Sequence, residues 1–249
     1  MSAVGAVAAI VRNDLRAVRR DHVLSVTVAL SFAATAIIAT LGLFQERLAG
    51  WSAWFPFIVA ISMVGGPGGF GVLFALLMVD EGDTGVRDAL AVSPIPAMRF
   101  LLVRTLVATG WMVAWPLASV LLMNATWRSI DLSLASWLAV IVPLALFTPS
   151  FALLIPTVAK DKVGALAAFK ALSFLTLAPL ALFFVSRDAW YRPLFLLSPA
   201  GCPVEAYRAF LDGRPLHGAA WSGAAIVYAA ALLATVMNRF RTKIYRLHE

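Results

Sequence analysis

The chain is 249 residues long, 61% hydrophobic and only 13% charged, about half the charged share of a soluble globular domain. That composition excludes an ordinary water-soluble fold and points to an integral membrane protein. The formal net charge of +7 does not indicate a nucleic-acid partner, because the basic residues sit at the ends of apolar blocks rather than in one patch.

Residues 1–21 predict a basic amphipathic helix. Val4, Val7, Val11, Leu15 and Val18 recur at spacings of three and four, while Arg12, Arg16, Arg19 and Arg20 lie mostly off that stripe. Such a helix would lie in the membrane interface with its arginines towards lipid phosphates. A basic tail that only obeys topology rules is the plainer alternative. Small apolar residues precede the arginines, the reverse of a cleavable signal's order, so the first span is expected to act as its own targeting signal.

Six apolar blocks follow, at about 22–44, 55–79, 99–123, 134–157, 164–185 and 217–238, each near the roughly 20 residues needed to cross the hydrocarbon core. Trp51 and Trp54, in the first connection, favour the membrane–water boundary. With the N-terminus inside, the inner loops and ends hold Arg12, Arg16, Arg19, Arg20, Arg87, Arg99, Arg104, Lys160, Lys162, Lys170, Arg239, Arg241, Lys243 and Arg246. The outer ones hold only Arg47, Arg128, Arg187, Arg192, Arg208 and Arg214. The positive-inside rule then places both termini in the cytoplasm, a parity that six spans satisfy.

In the second block, Gly65 and Gly69 form a small-xxx-small pair around Pro67. The glycines permit close helix approach, and the proline removes a backbone donor and should kink the helix. Close packing within the bundle and a flexible segment that moves with the following loop both remain open. The third, fourth and fifth blocks carry Pro116, then Pro143, Pro149 and Pro156, then Pro179. Lys170, about two turns beyond Lys162, is read as snorkelling to the inner interface, with a position facing a translocation path as the alternative.

The longest connection, 186–216, is read as an outer segment. Prolines and glycine precede Val204, Tyr207 and Leu211 at helical spacing, suggesting a short helix that dips into the outer leaflet, on which Glu205 and Arg208 could pair. Cys202, the only cysteine, cannot form an internal disulfide and reads as an incidental small apolar side chain.

Several chemistries are missing. There is no phosphate-binding G-x-x-x-x-G-K-[ST] loop, no H-E-x-x-H zinc motif and no D-D-x-x-D metal–diphosphate motif. His22, His217 and His248 lie at span ends or in the tail, not as an intramembrane haem-binding pair. The spans also lack the acidic residues on which proton-coupled carriers rely. No cofactor is expected in this chain, and energy for transport would have to come from outside it.

The segment between the second and third blocks, about 80–98, is where that energy would enter. Its run from Asp80 to Ile95, DEGDTGVRDALAVSPI, resembles the cytoplasmic loop of type-2 ABC exporter permeases, in which an acidic residue and glycine precede a short coupling helix and a Leu-x-x-[Ser/Thr]-Pro element leads into the third span. Within that family the form is similar to small permeases of fluoroquinolone and other drug efflux. Ser198-Pro199 through Phe210, with Pro203, Glu205 and Tyr207, likewise resembles the family's re-entrant outer region, although Gly201-Cys202 stands where an aromatic is expected.

The resemblance implies an all-α polytopic membrane protein of the bacterial plasma membrane. It would have six transmembrane helices, an N-terminal interfacial helix, a cytoplasmic coupling helix and a re-entrant outer segment. It also implies a partner ATPase carrying ATP and Mg, a second permease subunit (identical or related), membrane lipids around the pair, and a hydrophobic drug or lipid as cargo. Asp80, Glu81, Asp83, Thr84, Arg87, Asp88, Leu90 and Pro94 are the expected coupling residues. Asp83 or Thr84 could cap the short helix, Leu90 offers an apolar contact, and Pro94 stiffens the return to the membrane. Against this stand a merely solvated acidic loop, a channel or carrier that needs no ATP, and a structural subunit of a membrane complex.

Overall fold

The computed structural model describes residues 21–83, 97–127, 130–159 and 161–240, together with residues 8, 11, 12, 16, 19 and 20. Within the second helix, positions 66–73 and 80–83 are described by their backbone alone. All that is described is helix, turn or connection, with no strand. In an apolar solvent only a structure that closes its own backbone hydrogen bonds is stable, and a helix does so within each segment.

Among the described residues seven α-helices follow in order: α1 His22–Leu43, α2 Phe55–Asp83, α3 Ala97–Thr126, α4 Leu134–Val158, α5 Lys162–Leu177, α6 Gly201–Leu211 and α7 Pro215–Phe240. Short 3₁₀ helices occupy Ala49–Trp54, Ala178–Phe183 and Arg192–Leu197. Among the described residues, three helices are long and apolar enough to cross a membrane: α4, α5 with its 3₁₀ extension to Phe183, and α7. Of the N-terminal stretch, the few described positions are helical, and Arg12, Arg16, Arg19 and Arg20 are exposed.

The third and last helices run two or three residues past their expected blocks at each end, and two other boundaries differ more. The second helix does not stop near 79 but runs on to Asp83, and it stays helical through Pro67. The fifth block tightens from α to 3₁₀ at Ala178, one residue before Pro179, where the missing N–H and the bulk of the ring disfavour a further α-turn. Elsewhere local chemistry sets the starts. The Ser133 hydroxyl accepts from the Ser136 amide at 3.2 Å ahead of α4, and the Asp161 carboxylate accepts from the Gly164 amide at 2.7 Å ahead of α5. Each is an N-cap that satisfies a donor the helix cannot.

The sixteen buried residues of α4 make it the centre of the bundle, packed against α2, α3, α5, α6 and α7. The helices around it turn large apolar side chains outward: Leu30 and Ile37 on α1, Leu106 on α3, Val163 and Phe174 on α5, Val227 on α7. A fold in water buries such groups, so this surface is built to face lipid or another apolar protein. Lys170 also lies on the exposed side of α5 rather than towards α4.

Helix ends gather into two groups. At one end Phe55 packs edge-on against Trp127, whose indole N–H donates to Ile38 O at 3.0 Å, and Trp137 stacks on Tyr207. At the other end Met78, Leu153, Val236 and Phe240 cluster together, and Lys162 pairs with Asp21 at 3.1 Å. Consecutive long helices therefore alternate in direction. Connections 44–54 and 184–214 share the first, loop-rich end with residues 127 and 130–133, while Asp21, the α2 C-terminus, the end of α4 and the start of α5 share the second.

Candidate functional site

Of the residues expected to couple to a partner, the three described ones fall at the second end. Asp80, Glu81 and Asp83 form the last turn of α2, and no basic residue shares that turn. Carboxylates at a helix C-terminus oppose the macrodipole at roughly 0.3–1 kcal/mol each, so their place there has no intrahelical reason. Thr84, Arg87, Asp88, Leu90 and Pro94 lie outside the described residues. Of the glycine pair in α2, Gly65 is exposed, and a methyl group added there would meet nothing within 4 Å. The close approach that this glycine permits is not used by the chain's own described helices. Pro67 and Gly69 are described by backbone alone.

The loop-rich end holds a formed site. The segment expected as a short outer helix is α6, and Pro199, Pro203, Glu205 and Tyr207 are all buried in or beside it. Its entry is fixed by Ser198, whose hydroxyl donates to Leu175 O at 2.8 Å. It then passes Gly201, where a Cβ would stand 2.3 Å from Phe195 O. Only glycine lets the helix start so close to the preceding 3₁₀ turn.

The exit of α6 is a Schellman ending. Arg214 N–H donates to Ala209 O at 2.9 Å and Gly213 N–H to Phe210 O at 3.1 Å, with Gly213 at φ +68, the left-handed conformation such an ending requires. Pro215 then opens α7, a first-turn position where its missing N–H costs nothing. This geometry sets Asp212, Arg214 and His217 side by side. The Tyr228 hydroxyl, which donates to Leu197 O at 2.6 Å, ties the segment to α7.

Charge fills the space so made. Arg192 pairs with Glu205, Arg187 with Asp212, and Arg208 Nη1 lies 3.8 Å from Glu205 Oε1. The Glu205–Arg208 pairing expected from their spacing is therefore present but long, and the closer partner, Arg192, comes from thirteen residues upstream. Arg187 and Arg192 are among the site residues that sequence reasoning missed, as are Asp212, Arg214 and Trp221. No local spacing announces the two arginines, because the turn at 184–200 brings them in. Arg208 also lies over the Phe183 ring, 5.6 Å from its centroid.

Burial pulls the Arg208 guanidinium below its ordinary value, with Glu205 opposing the shift and Arg192 and Arg187 adding to it. Burial pushes the Tyr207 phenol up, and its oxygen has no hydrogen-bond partner. The Cys202 thiol is raised as well, first by burial and then by Glu205. Beside these groups lies a cavity of about 270 Å³, lined by Arg192, Glu205, Asp212, Arg214, His217 and Trp221 among others. Among the described residues, no group of three His, Cys, Asp or Glu is arranged to hold a metal. The arrangement offers fixed guanidinium donors next to apolar walls, which is equipment for binding.

A family profile described as "Fluoroquinolones export permease protein Rv2686c-like" matches residues 14–237. Two curated relatives, the fluoroquinolones export permease proteins MT2760 and Rv2686c of Mycobacterium tuberculosis (strains CDC 1551 / Oshkosh and ATCC 25618 / H37Rv), are each 32% identical over 254 aligned residues. The alignments cover 96% of this chain and 95% of each relative. The resemblance to drug-efflux permeases thus extends over nearly the entire chain.

Proposed function

We propose that this chain, which belongs to the Rv2686c-like family of fluoroquinolones export permeases, is the membrane-spanning subunit of an ATP-driven exporter of fluoroquinolone-type or similarly amphipathic compounds. The observation that carries the reading is the full-length match to relatives named as export permeases. Function must still be argued from sites and not from likeness alone, and two features of the molecule support it.

The first is the surface. Apolar side chains face outward around a buried α4, and helix ends alternate between two sides, in keeping with six crossings by α1, α2, α3, α4, α5 with its 3₁₀ extension, and α7. With the basic residues weighted to the α2–α3 and α4–α5 side, both termini lie in the cytoplasm of a bacterial plasma membrane.

The second is the acidic last turn of α2. Asp80, Glu81 and Asp83 stand where the helix dipole disfavours them, and a basic surface on a separate ATPase would offset that cost. In this reading segment 80–98 docks on the ATPase, with Thr84, Arg87, Asp88, Leu90 and Pro94 completing the contact. The partner binds ATP and Mg and supplies the hydrolysis. A second permease subunit, packed through the outward apolar faces, completes the cargo path.

The test co-expresses the chain with its partner ATPase and measures ATP-dependent uptake of a fluorescent fluoroquinolone into everted membrane vesicles. Glu81→Lys with Asp83→Lys is expected to lower uptake and ATPase co-purification at least about tenfold, the effect of losing one or two charge-assisted contacts, while the chain still inserts. Undiminished uptake and association in that double variant would refute ATPase docking here. Uptake driven by an ion gradient without any ATPase would favour a secondary carrier.

A further inference from the structure

We propose that the cavity between α6 and the start of α7 is a binding site for an oxyanion, a phosphate or carboxylate group carried on an apolar body. The inference concerns the loop-rich end of the bundle and does not depend on where an ATPase docks.

The donors outnumber the acceptors. Arg192 uses Nη2 on Glu205 and leaves Nη1 buried without a hydrogen-bond partner. Arg208 Nη1, immediately behind, is in the same condition, since 3.8 Å to Glu205 is an ion pair and not a hydrogen bond. A buried charged donor left unsatisfied costs more than the roughly 1–3 kcal/mol of a neutral one. Both carboxylates at the cavity, Glu205 and Asp212, are already matched by a guanidinium. Arg187, Arg192 and Arg214 against those two carboxylates leave the lining with a net charge of +1 before His217 is counted, and Arg208 behind it adds another.

A cation would meet this surplus charge and find both carboxylates taken, whereas an oxyanion would meet a wall to which Arg187, Arg192 and Arg214 contribute, with the unsatisfied Arg192 and Arg208 donors buried behind its surface. Arg214 and His217 also stand at the positive end of the α7 dipole, which adds to the attraction. The opposite wall is Pro193, Leu196 and Trp221, so the space suits an oxyanion joined to hydrocarbon or an aromatic ring better than a bare ion. At about 270 Å³ it has room for roughly nine water volumes, enough for the charged head of a larger molecule whose remainder projects outward. Two sources carry this chemistry: the headgroup of an anionic phospholipid and, on the function proposed above, the carboxylate of a quinolone leaving the transporter.

The test uses the full-length chain in nanodiscs of phosphatidylcholine, with no ATPase present. Inorganic phosphate, short-chain phosphatidylglycerol and a fluoroquinolone are titrated separately at constant ionic strength. Trp221 fluorescence and the unfolding midpoint are followed, and Trp221→Phe identifies the signal. Saturable binding of at least one probe is expected, weakened about tenfold or more in Arg214→Gln, which breaks no ion pair described here, and in Arg192→Gln. Arg47→Gln, the same charge loss away from the cavity, should leave it unchanged. Binding of phosphatidylglycerol but not the quinolone identifies a lipid site, and the converse identifies a cargo site. No saturable signal and no midpoint shift with any probe, or equal weakening by Arg47→Gln, would overturn the proposal.

Discussion

Glu205 sets the clearest quantitative expectation. Its side chain is only 10% exposed and faces two guanidiniums, Arg192 at 15% and Arg208 at 16% exposure. At 3.8 Å and an effective dielectric near 20, attraction to Arg208 alone is on the order of 4 kcal/mol before desolvation is subtracted. Desolvation consumes most of such a gain, so the pair's net worth is small. Removing the acid is a different matter. Glu205→Ala leaves two neighbouring guanidiniums buried with no acceptor and repelling each other, and the cost of such a break is about 3–5 kcal/mol.

Arg192→Ala should cost less, because Glu205 keeps Arg208. The double variant should cost less than the sum of the two singles by roughly 1–3 kcal/mol, since the contact that each single change breaks can be lost only once. Equilibrium unfolding in mixed micelles, followed by far-ultraviolet circular dichroism across the four proteins, measures all of these terms. A Glu205→Ala loss below about 1 kcal/mol, or strictly additive singles, would show that this cluster is effectively solvated and that the site is not closed as described.

Two further expectations test how the segment is held. Gly201→Ala drives a methyl group to 2.3 Å from Phe195 O and 2.7 Å from Leu196 Cα, backbone atoms that cannot swing aside. It should therefore destabilise clearly more than Gly213→Ala, where the added group meets nothing and only the positive φ is strained, at about 1–2 kcal/mol; equal midpoints in thermal unfolding would contradict this. Cys202 is buried and its thiol is raised above the ordinary 9.0 by burial and by Glu205. Maleimide labelling of the folded protein at neutral pH should then be far slower than in denaturant. The folded state holds this proton more tightly than the unfolded one, so the stability it contributes is complete below pH 9.0 and is lost as pH rises above it. Rapid labelling of the native protein would show the segment to be open.

The helices were legible because apolar length and end signals are local. Ser133 and Asp161 cap where their side chains suggest, and α4 begins and ends within a residue of its apolar block. The Glu205–Arg208 spacing was legible for the same reason. The site as a whole was not. Arg192 reaches Glu205 only because the segment after Phe183 folds back through two tight turns, and Arg187 reaches Asp212 across twenty-five residues. The Lys162–Asp21 contact spans 141 residues. Side-chain periodicity carries no information at those separations. The Val79 boundary was missed for a different reason: acidic residues mark the end of an apolar block, whereas backbone hydrogen bonding continues for another turn.

Pro67 shows how packing overrides propensity in α2. Gly65, Gly66, Gly68 and Gly69 at about 1 kcal/mol each and the proline at about 3 make this the weakest stretch of any described helix on intrinsic grounds. Yet α2 stays helical for 29 residues, about 44 Å. The halves on either side explain it. Phe55, Val59, Ala60 and Met63 pack into the aromatic cluster under Trp127 and Trp137. Phe74 through Leu77 and Val79 pack against Ala145, Ala152 and Ile155. Both halves rest on α4, so the rigid central helix aligns two well-packed segments, and the glycine-rich stretch between them follows. The arrangement also locates compliance. If the acidic turn at Asp83 is displaced by a docked partner, the half from Phe74 onward must move against α4 or bend away from the half held at Trp127. The residues least able to resist that bending are those from Gly65 to Gly69.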